Sequence, residues 1–298
     1  MPTIEAEDRL PVELTARALI EAMPYLRAWS GKVVLVKYGG AAMTDPALGE
    51  QLMQDLALLH SHGVRMVLVH GGGKAVSELG GRLGLQARFV DGLRVTDEET
   101  MRVAQMVQVG LLSRDLCAEL GRAGAKALGL SGHDLGGWLR AKVRQHTDRA
   151  TGEPVDLGRV GDVVSVDAPA IHALLQAGLI PVIAPVAVDD NLRALNVNAD
   201  SVAMAVAGAL QAEKLVFFSD TPGVRGPDGE IASEVNAATL TDWMASGVVS
   251  GGMIPKAEAC LSALRAGVRR VTISDGRTPH ALLVELLTPA GVGTMVVP

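Results

Sequence analysis

Short apolar runs alternate with helical patterns along the 298-residue chain. A run of about four to eight apolar residues bounded by turn residues is typical of a buried strand. Six runs predict strands, at residues 32–37, 64–70, 125–130, 180–185, 214–219 and 270–274. Between the first two, leucines recur at helical spacing: Leu48, Leu52, Leu56 and Leu59. This alternation predicts an α/β fold, a three-layer αβα sandwich with a mostly parallel, open sheet.

Three segments carry their own signals. Residues 140–163 begin with alternating polarity and continue with glycine, proline and charge, which predicts a β-hairpin insertion with a mobile tip. Thr96 begins a capping-box pattern that predicts a helix running toward Leu120. The most apolar stretch, 168–188, is punctuated by prolines and by Gly178. It therefore predicts a helix, a stop and a strand rather than a membrane span.

Residues 1–30 precede the first predicted strand and form a distinct segment. An apolar stripe at helical spacing runs through it: Leu19, Ala22, Met23 and Leu26. Pro24 lies inside this pattern and predicts a kink, because it removes a hydrogen-bond donor. Such a helix packs on its own domain or reaches a neighbouring subunit. Composition alone slightly favours packing on its own domain.

Composition narrows the class of protein. Hydrophobic residues make up 48% of the chain but aromatic residues only 3%, so the core must be aliphatic. The formal net charge of -6 argues against a nucleic-acid binder, although it permits an anionic small substrate. Cys117 and Cys260 lie far apart in apolar helical patterns, which predicts buried thiols in a reducing compartment. Because no signal peptide opens the chain, a cytoplasmic protein is expected.

Two predicted strands each end in consecutive glycines. Lys37 is followed by Tyr-Gly-Gly at 38–40, and His70 is followed by three glycines at 71–73. Glycine lets the backbone approach a ligand, and its N–H can point at an anion. Ligands of α/β sheets bind at the carboxyl ends of the strands. The two glycine segments and the lysine therefore predict binding of anionic groups and phosphoryl transfer.

Four further segments place polar residues near predicted strand ends: Gly-Leu-Arg-Val-Thr at 92–96, Asn-Val-Asn-Ala-Asp at 196–200, Ser-Asp-Thr-Pro-Gly-Val at 219–224 and Gly-Gly-Met-Ile-Pro-Lys at 251–256. Taken singly, each has an ordinary explanation as a helix cap, a turn or a solvated lysine. Together they predict one site. The sequence has no Walker A loop, no G-x-G-x-x-G opening a helix and no clustered Cys/His set, so no protein-bound metal is predicted.

From about Leu19 to the C-terminus, these motifs resemble the amino acid kinase family, and within it the members that phosphorylate N-acetyl-L-glutamate. The segments at 92–96, 196–200 and 251–256 are specific to those members. The resemblance implies transfer of a phosphoryl group from ATP to the γ-carboxylate of N-acetyl-L-glutamate, in arginine biosynthesis. Mg²⁺ would be carried by the nucleotide.

The resemblance also implies a role for each motif residue. Lys37 and Lys256 would stabilise the transferring phosphoryl group, and Asp200 would orient both lysines. The residues implied to bind N-acetylglutamate are Gly72, Gly73, Arg94 and Asn196. Those implied to contact the nucleotide are Gly39, Gly40, Ser219, Asp220, Gly223, Val224 and Gly252. Residues 31–207 would form the amino-acid and dimerisation lobe, and residues 208–298 the ATP lobe.

Two segments depart from the family pattern. Residues 131–133 read Ser-Gly-His where Ser-Gly-Lys is expected, and residues 218–220 read Phe-Ser-Asp where Leu-Thr-Asp is commoner. Both lie at the periphery of the proposed chemistry. They affect only local contacts.

The N-terminal segment resembles that of family members that form rings of three dimers and are inhibited by L-arginine. It implies a kinked oligomerisation helix over 1–30 and a hexamer. The segments at 280–285 and 291–294 resemble the arginine-binding end of those members, which implies an arginine site that includes Lys214, Glu285 and Gly293. Binding of a PII-type signalling protein is left open.

Two alternative functions are weighed against this interpretation. One is a kinase for a carrier-linked aminoadipate, against which the Gly-Leu-Arg at 92–94 and the N-terminal helix argue. The other is a non-catalytic arginine sensor. A pure sensor needs neither lysine nor Asp200, so their presence argues against it.

Overall fold

The computed structural model describes residues 11–40, 43, 45–289 and 291–298. Residues 1–10 of the predicted N-terminal segment lie outside these ranges. The helices are α1 (Val12–Trp29), α2 (Pro46–Ser61), α3 (Gly73–Arg82), α4 (Glu98–Gln105), α5 (Ser113–Arg122), α6 (Ala168–Gln176), α7 (Ala199–Ala209), α8 (Ala237–Ala245), α9 (Met253–Arg265) and α10 (Ala281–Leu287). The strands are β1 (Val33–Tyr38), β2 (Arg65–His70), β3 (Phe89–Val90), β4 (Leu93–Arg94), β5 (Ala127–Leu130), β6 (Leu139–Val143), β7 (His146–Thr147), β8 (Pro154–Val155), β9 (Val160–Val166), β10 (Ile180–Ile183), β11 (Val186–Val188), β12 (Ala194–Val197), β13 (Lys214–Ser219), β14 (Glu234–Asn236), β15 (Val271–Asp275) and β16 (Gly293–Val297).

The central sheet has eight strands in the order β14-β16-β15-β13-β1-β2-β10-β5. All its pairs are parallel except β15 with β16. The six predicted strands are confirmed as β1, β2, β5, β10, β13 and β15, with ends within two residues of the predicted ones. The two strands that complete the sheet at one edge, β14 and β16, were not predicted.

Successive side chains of the central strands enter two different cores. Val33 and Leu35 pack into a core with α6, α7, α8 and α9, whereas Val34 and Val36 pack into a second core with α2, α5 and α10. This is the two-residue period of a strand, with both faces of the sheet covered by helices. The predicted three-layer sandwich is confirmed.

The region between β5 and β10 builds a small second layer. Strands β6 and β9 pair antiparallel as the arms of the predicted hairpin, and close a four-stranded barrel with β11 and β12. The apolar stretch at 168–188 contains α6, a left-handed Gly178 (φ +72°) and β10, as predicted. Among the described helices, none combines the length and the apolar character that crossing a bilayer requires.

The long helix predicted after Thr96 is present but differs in two ways. Its N-cap is Asp97, which accepts a hydrogen bond from the Thr100 N–H (2.7 Å), so the Thr96 assignment was wrong. Thr96 instead pairs with Gly158, and its hydroxyl donates to the Arg94 carbonyl. The helix also passes through a π-helical segment, Met106–Leu112, between α4 and α5.

The C-terminal end of α1 packs on the rest of the described chain. Trp29 is buried, and its Nε1 donates to the Leu286 carbonyl oxygen at 2.7 Å. Nearer the N-terminus of this helix, Leu19 is 63% exposed and Met23 is 42% exposed. The expectation that the apolar stripe packs on its own domain was therefore wrong for Leu19 and Met23. Pro24 lies within the helix.

A stability prediction follows from Gly132, where the central sheet meets the barrel. A Cβ at this position would lie 2.6 Å from the Ala187 Cα and 2.8 Å from the Val186 carbonyl oxygen. Because both are backbone atoms, Gly132→Ala should lower the free energy of unfolding by about 1–3 kcal/mol. Urea denaturation measures it.

Gly81 provides the matched control. It lies in α3, and a Cβ there would meet no atom within 4 Å. Gly81→Ala should be neutral or stabilising by about 0.5–1 kcal/mol, because alanine favours helix. Equal effects of the two substitutions would contradict the packing described for Gly132.

Candidate active site

The carboxyl ends of β13, β1 and β2 lie side by side. Tyr38 is opposite His70 in the sheet, and Lys37 is opposite Phe217. The two glycine segments and the turn after β13 therefore share one edge. The glycine segments also touch, because the Gly71 N–H donates to the Tyr38 carbonyl at 2.8 Å.

Lys37 points to the face of the sheet covered by α7. Its Nζ lies 2.9 Å from Oδ1 of Asp200, in the first turn of that helix. Asn198 caps α7 by accepting hydrogen bonds from the N–H groups of Asp200 and Ser201. A Cβ on Gly39 would lie 3.0 Å from the lysine Nζ, so glycine leaves space for this ion pair.

Lys256 lies in the first turn of α9 and has different partners. Its Nζ donates to Asp220 Oδ1 and to Thr221 Oγ1, both at 3.1 Å. The ammonium group holds the pKa of Asp220 below its usual value, through a hydrogen bond and through charge. The predicted pairing of Asp200 with both lysines is thus met for Lys37, while Lys256 contacts the turn after β13.

A cavity of about 210 Å³ lies beside Asp200, and Asn198 and Ala199 form part of its wall. All four residues implied to bind the amino-acid substrate line it: Gly72, Gly73, Arg94 and Asn196. We call it the acid cavity. Topology alone brings these residues together, since they come from the loop after β2, from the start of α3, from β4 and from β12.

Arg94 is fixed within the wall of the acid cavity. Its Nη2 donates to the Gly73 carbonyl and to Ser77 Oγ, both at 2.7 Å. The guanidinium also lies 4.7 Å from the centre of the Phe89 ring, within the range of a cation–π contact. Burial lowers the pKa of Arg94 below its ordinary value. A guanidinium remains protonated in proteins, so a partly desolvated cation faces the cavity.

Asn196 of β12 also lines the acid cavity. Its Nδ2 donates to Thr96 Oγ1 at 3.1 Å. This links β12 to the segment that carries Arg94.

The glycine turn after β2 is held by the histidine that precedes it. His70 is fully buried, and its Nδ1 lies 2.7 Å from the Gly71 carbonyl oxygen. Burial lowers the pKa of His70 to about 4. The ring is therefore neutral near pH 7, and Nδ1 carries the proton that it donates to Gly71. A Cβ on Gly72 would lie 2.9 Å from Leu112 Cδ1, so a side chain here would require Leu112 to move.

Comparison with known proteins bears on this geometry. The model of the amino acid kinase family matches residues 32–275. The chain belongs to the amino acid kinase family. It is 51% identical to a protein of Symbiobacterium thermophilum named acetylglutamate kinase, over 95% of this chain and 97% of that one.

Two solved structures of N-acetylglutamate synthase from Neisseria gonorrhoeae are also similar. One is complexed with coenzyme A and N-acetyl-glutamate (TM-score 0.82, 28% identity), the other with coenzyme A and L-arginine (TM-score 0.77, 26% identity). Both cover 95% of this chain, which spans only 63% and 65% of the synthase chains. The predicted kinase class and fold are confirmed by the family match and the named relative.

A second cavity of this amino acid kinase, of about 320 Å³, lies between the turn after β13 and the start of α9. Thr221, Gly223 and Met253 help to line it. The other six residues implied to contact the nucleotide, all in the described part of the chain, do not line this cavity. Ser219 bonds to the Thr221 hydroxyl, Val224 lies in the core, and Gly40 and Gly252 are exposed.

A third cavity, of about 370 Å³, opens at the amino end of β13. Lys214, Glu285 and Gly293 line it together with Tyr25 and Trp29 of α1. Lys214 Nζ lies 2.5 Å from Glu285 Oε1, and both side chains are buried. Thr272 also donates to this carboxylate, at 2.8 Å. The three residues implied to form an arginine site are thus brought together.

Some lining residues escaped the sequence analysis. Phe89 and Ser77 hold Arg94, and Gln108 of the π-helical segment lines the acid cavity. The available signal for Gln108 was a polar residue between valines in a buried helical stretch. Among the described residues, no group of three or more His, Cys, Asp or Glu side chains is arranged to hold a metal ion.

The depressed pKa of His70 generates a prediction about acid stability. The unfolded chain binds a proton at this residue below about pH 6.5, whereas the folded chain does so only below about pH 4. The stability from neutral His70 is therefore fully present above pH 6.5 and is lost as the pH falls to 4. His70→Asn should remove about 3 kcal/mol of the loss measured by urea denaturation between pH 7 and pH 4.

His62 is the matched control, because it is exposed at the end of α2. His62→Asn should leave the pH dependence of the wild type unchanged. The interpretation fails if His70→Asn loses as much stability as the wild type over this pH range.

Proposed function

We propose that this amino acid kinase transfers the γ-phosphoryl group of ATP to the γ-carboxylate of N-acetyl-L-glutamate. The observation that carries the proposal is the acid cavity, in which Gly72, Gly73, Arg94 and Asn196 converge next to the Lys37–Asp200 pair. The 51% identical relative named acetylglutamate kinase supports the choice of substrate.

The reaction needs charge compensation more than proton transfer. A carboxylate with a pKa near ~4 is already ionised at neutral pH, so it is a nucleophile without a general base. The obstacle is repulsion between the carboxylate and the phosphoryl oxygens, about 4 kcal/mol for each pair of unit charges at ~4 Å and an effective dielectric near 20. Two positioned lysines offset this repulsion as the transition state forms.

Arg94 is suited to the α-carboxylate of the substrate. Its Nη2 is engaged by Gly73 and Ser77, while its Nε and Nη1 make no hydrogen bond to any described residue. A guanidinium has five N–H donors, so it can hold the wall and bind a carboxylate at the same time.

The nucleotide is assigned to the second cavity. Lys256 contacts Thr221, which lines that cavity, and Lys37 lies at the end of the adjacent strand. The phosphates of ATP would then reach toward both lysines and the glycine N–H groups of residues 39–40. Mg²⁺ would enter with the nucleotide and neutralise part of the phosphate charge. This places the acid in residues 31–207 and ATP in residues 208–298.

Replacing either lysine tests the assignment. Lys37→Ala and Lys256→Ala should each lower kcat by at least ~10², the scale of losing one preorganised charge donor. Lys→Arg should fail as well, since a planar guanidinium does not replace a compact ammonium. Acyl phosphate formed from ATP and N-acetyl-L-glutamate, trapped with hydroxylamine, is the readout.

Lys126→Ala is the control, because Lys126 is exposed before β5. It should keep wild-type turnover. Near wild-type turnover in either active-site variant would refute the role of the lysines, and a wild type that forms no hydroxamate would refute the proposed reaction.

We further propose that the third cavity binds L-arginine as a feedback inhibitor. Glu285 offers a carboxylate to a guanidinium, and the related Neisseria synthase was solved with L-arginine. The wall formed by Tyr25 and Trp29 connects the cavity to α1, whose exposed apolar residues would be covered by a neighbouring dimer in a hexamer.

Deleting residues 1–27 tests this regulation. The shortened chain should remain active, have the mass of a dimer by light scattering, and need at least about tenfold more arginine for half inhibition, within an allosteric coupling of about 1–3 kcal/mol. A full-length chain with the mass of a dimer, or with full activity in millimolar arginine, would contradict the regulatory proposal alone.

A further inference from the structure

The π-helical segment Met106–Leu112 passes directly behind the acid cavity. Gln108 lies within it, lines the cavity and is only 5% exposed. π-helical turns inside α-helices occur frequently at functional sites. In this segment the residue that lines the cavity is a neutral amide between two valines.

The side-chain carbonyl oxygen of Gln108 has no hydrogen-bond donor facing it among the described residues. This atom, Oε1, is buried and accepts no hydrogen bond from any described residue. By contrast, Arg94 and Asn196 each have protein partners in the cavity wall. A buried polar atom without a partner destabilises a protein, so one that borders a cavity calls for a partner from the molecule that fills the cavity or for another explanation.

The glycine turn fixes the position of this side chain. A Cβ on Gly72 would lie 3.1 Å from Gln108 Cγ and 3.7 Å from its Nε2. The amide therefore packs against the backbone of Gly72, on the wall shared with Gly73 and Arg94.

The hydrogen-bonding groups of the substrate decide what Gln108 can bind. At neutral pH both carboxylates of N-acetyl-L-glutamate are ionised and only accept hydrogen bonds. Its acetamido N–H is then the single donor that the molecule offers. The cationic side chains of the site can pair with the two carboxylates. The unpartnered Oε1 of Gln108 can accept the hydrogen bond of the acetamido N–H.

We propose, resting on the function proposed above, that Gln108 is a specificity-determining residue whose Oε1 accepts the hydrogen bond of the substrate's acetamido N–H. It distinguishes an N-acylated amino acid from analogues that lack this N–H. The π-helical segment carries that acceptor at the wall of the acid cavity.

The test compares two substrates that differ in one group. In 2-acetoxyglutarate an ester oxygen replaces the acetamido N–H of N-acetyl-L-glutamate. The wild type should have a KM at least about tenfold higher for the ester, because the acceptor is left without its donor. Gln108→Leu should have nearly equal KM values for the two substrates, with an unchanged KM for ATP.

Two further variants test whether a change in packing, rather than loss of the acceptor, accounts for the loss of discrimination. Gln105→Leu changes the same residue type one turn earlier, outside the cavity wall, and should discriminate as the wild type does. Gln108→Met preserves side-chain length and flexibility and should behave as Gln108→Leu. The Tm of both Gln108 variants without substrate should equal or exceed that of the wild type, because an unpartnered buried amide is removed.

Each outcome has a defined meaning. An active wild type with Gln108 variants that still prefer the amide by tenfold overturns this proposal alone. The same follows if Asn196→Leu abolishes the preference while the Gln108 variants keep it. A wild type that does not phosphorylate N-acetyl-L-glutamate overturns the proposed function and this assignment with it.

Discussion

The parallel pairing of β13, β1 and β2 is the constraint on which the site depends. Neighbouring strands lie about 4.8 Å apart, and parallel pairing brings their carboxyl ends to one edge. Lys37, the glycines at 71–73 and the turn at 219–221 are thereby made neighbours, although up to about 180 residues separate them in sequence. The pleat then selects the face, so that Lys37 meets α7 and not α2.

Each of the two lysines proposed to stabilise the phosphoryl group has its own carboxylate. Lys37 is paired with Asp200 at a helix start, and Lys256 with Asp220 in a turn. Both pairs are partly exposed, so their contribution to stability is small. Their value lies in orientation, because an ammonium held by a carboxylate keeps one position at the strand ends. Separate partners also allow the two lysines to be positioned independently.

The sequence predicted the elements better than the contacts. Six strands and the main helices were predicted from apolar periodicity, because the predicted strands other than β5 are buried on both faces. The four residues implied to bind the amino-acid substrate were predicted from motif resemblance, and the structure brings them together in the wall of the acid cavity. The partner of Lys256 did not follow, because it depends on how α9 approaches β13. Gln108 did not follow either, because a π-helical turn leaves no periodic signal in seven residues.

Strand β13 joins two cavities that lie at its opposite ends. Lys214 borders one at its amino end and Ser219 leads into the turn of the other, a span of about 16 Å. All six of its residues are buried, so no side of the strand faces solvent. A substitution that repacks one end of this strand therefore acts on a fully buried element whose other end leads to the second cavity.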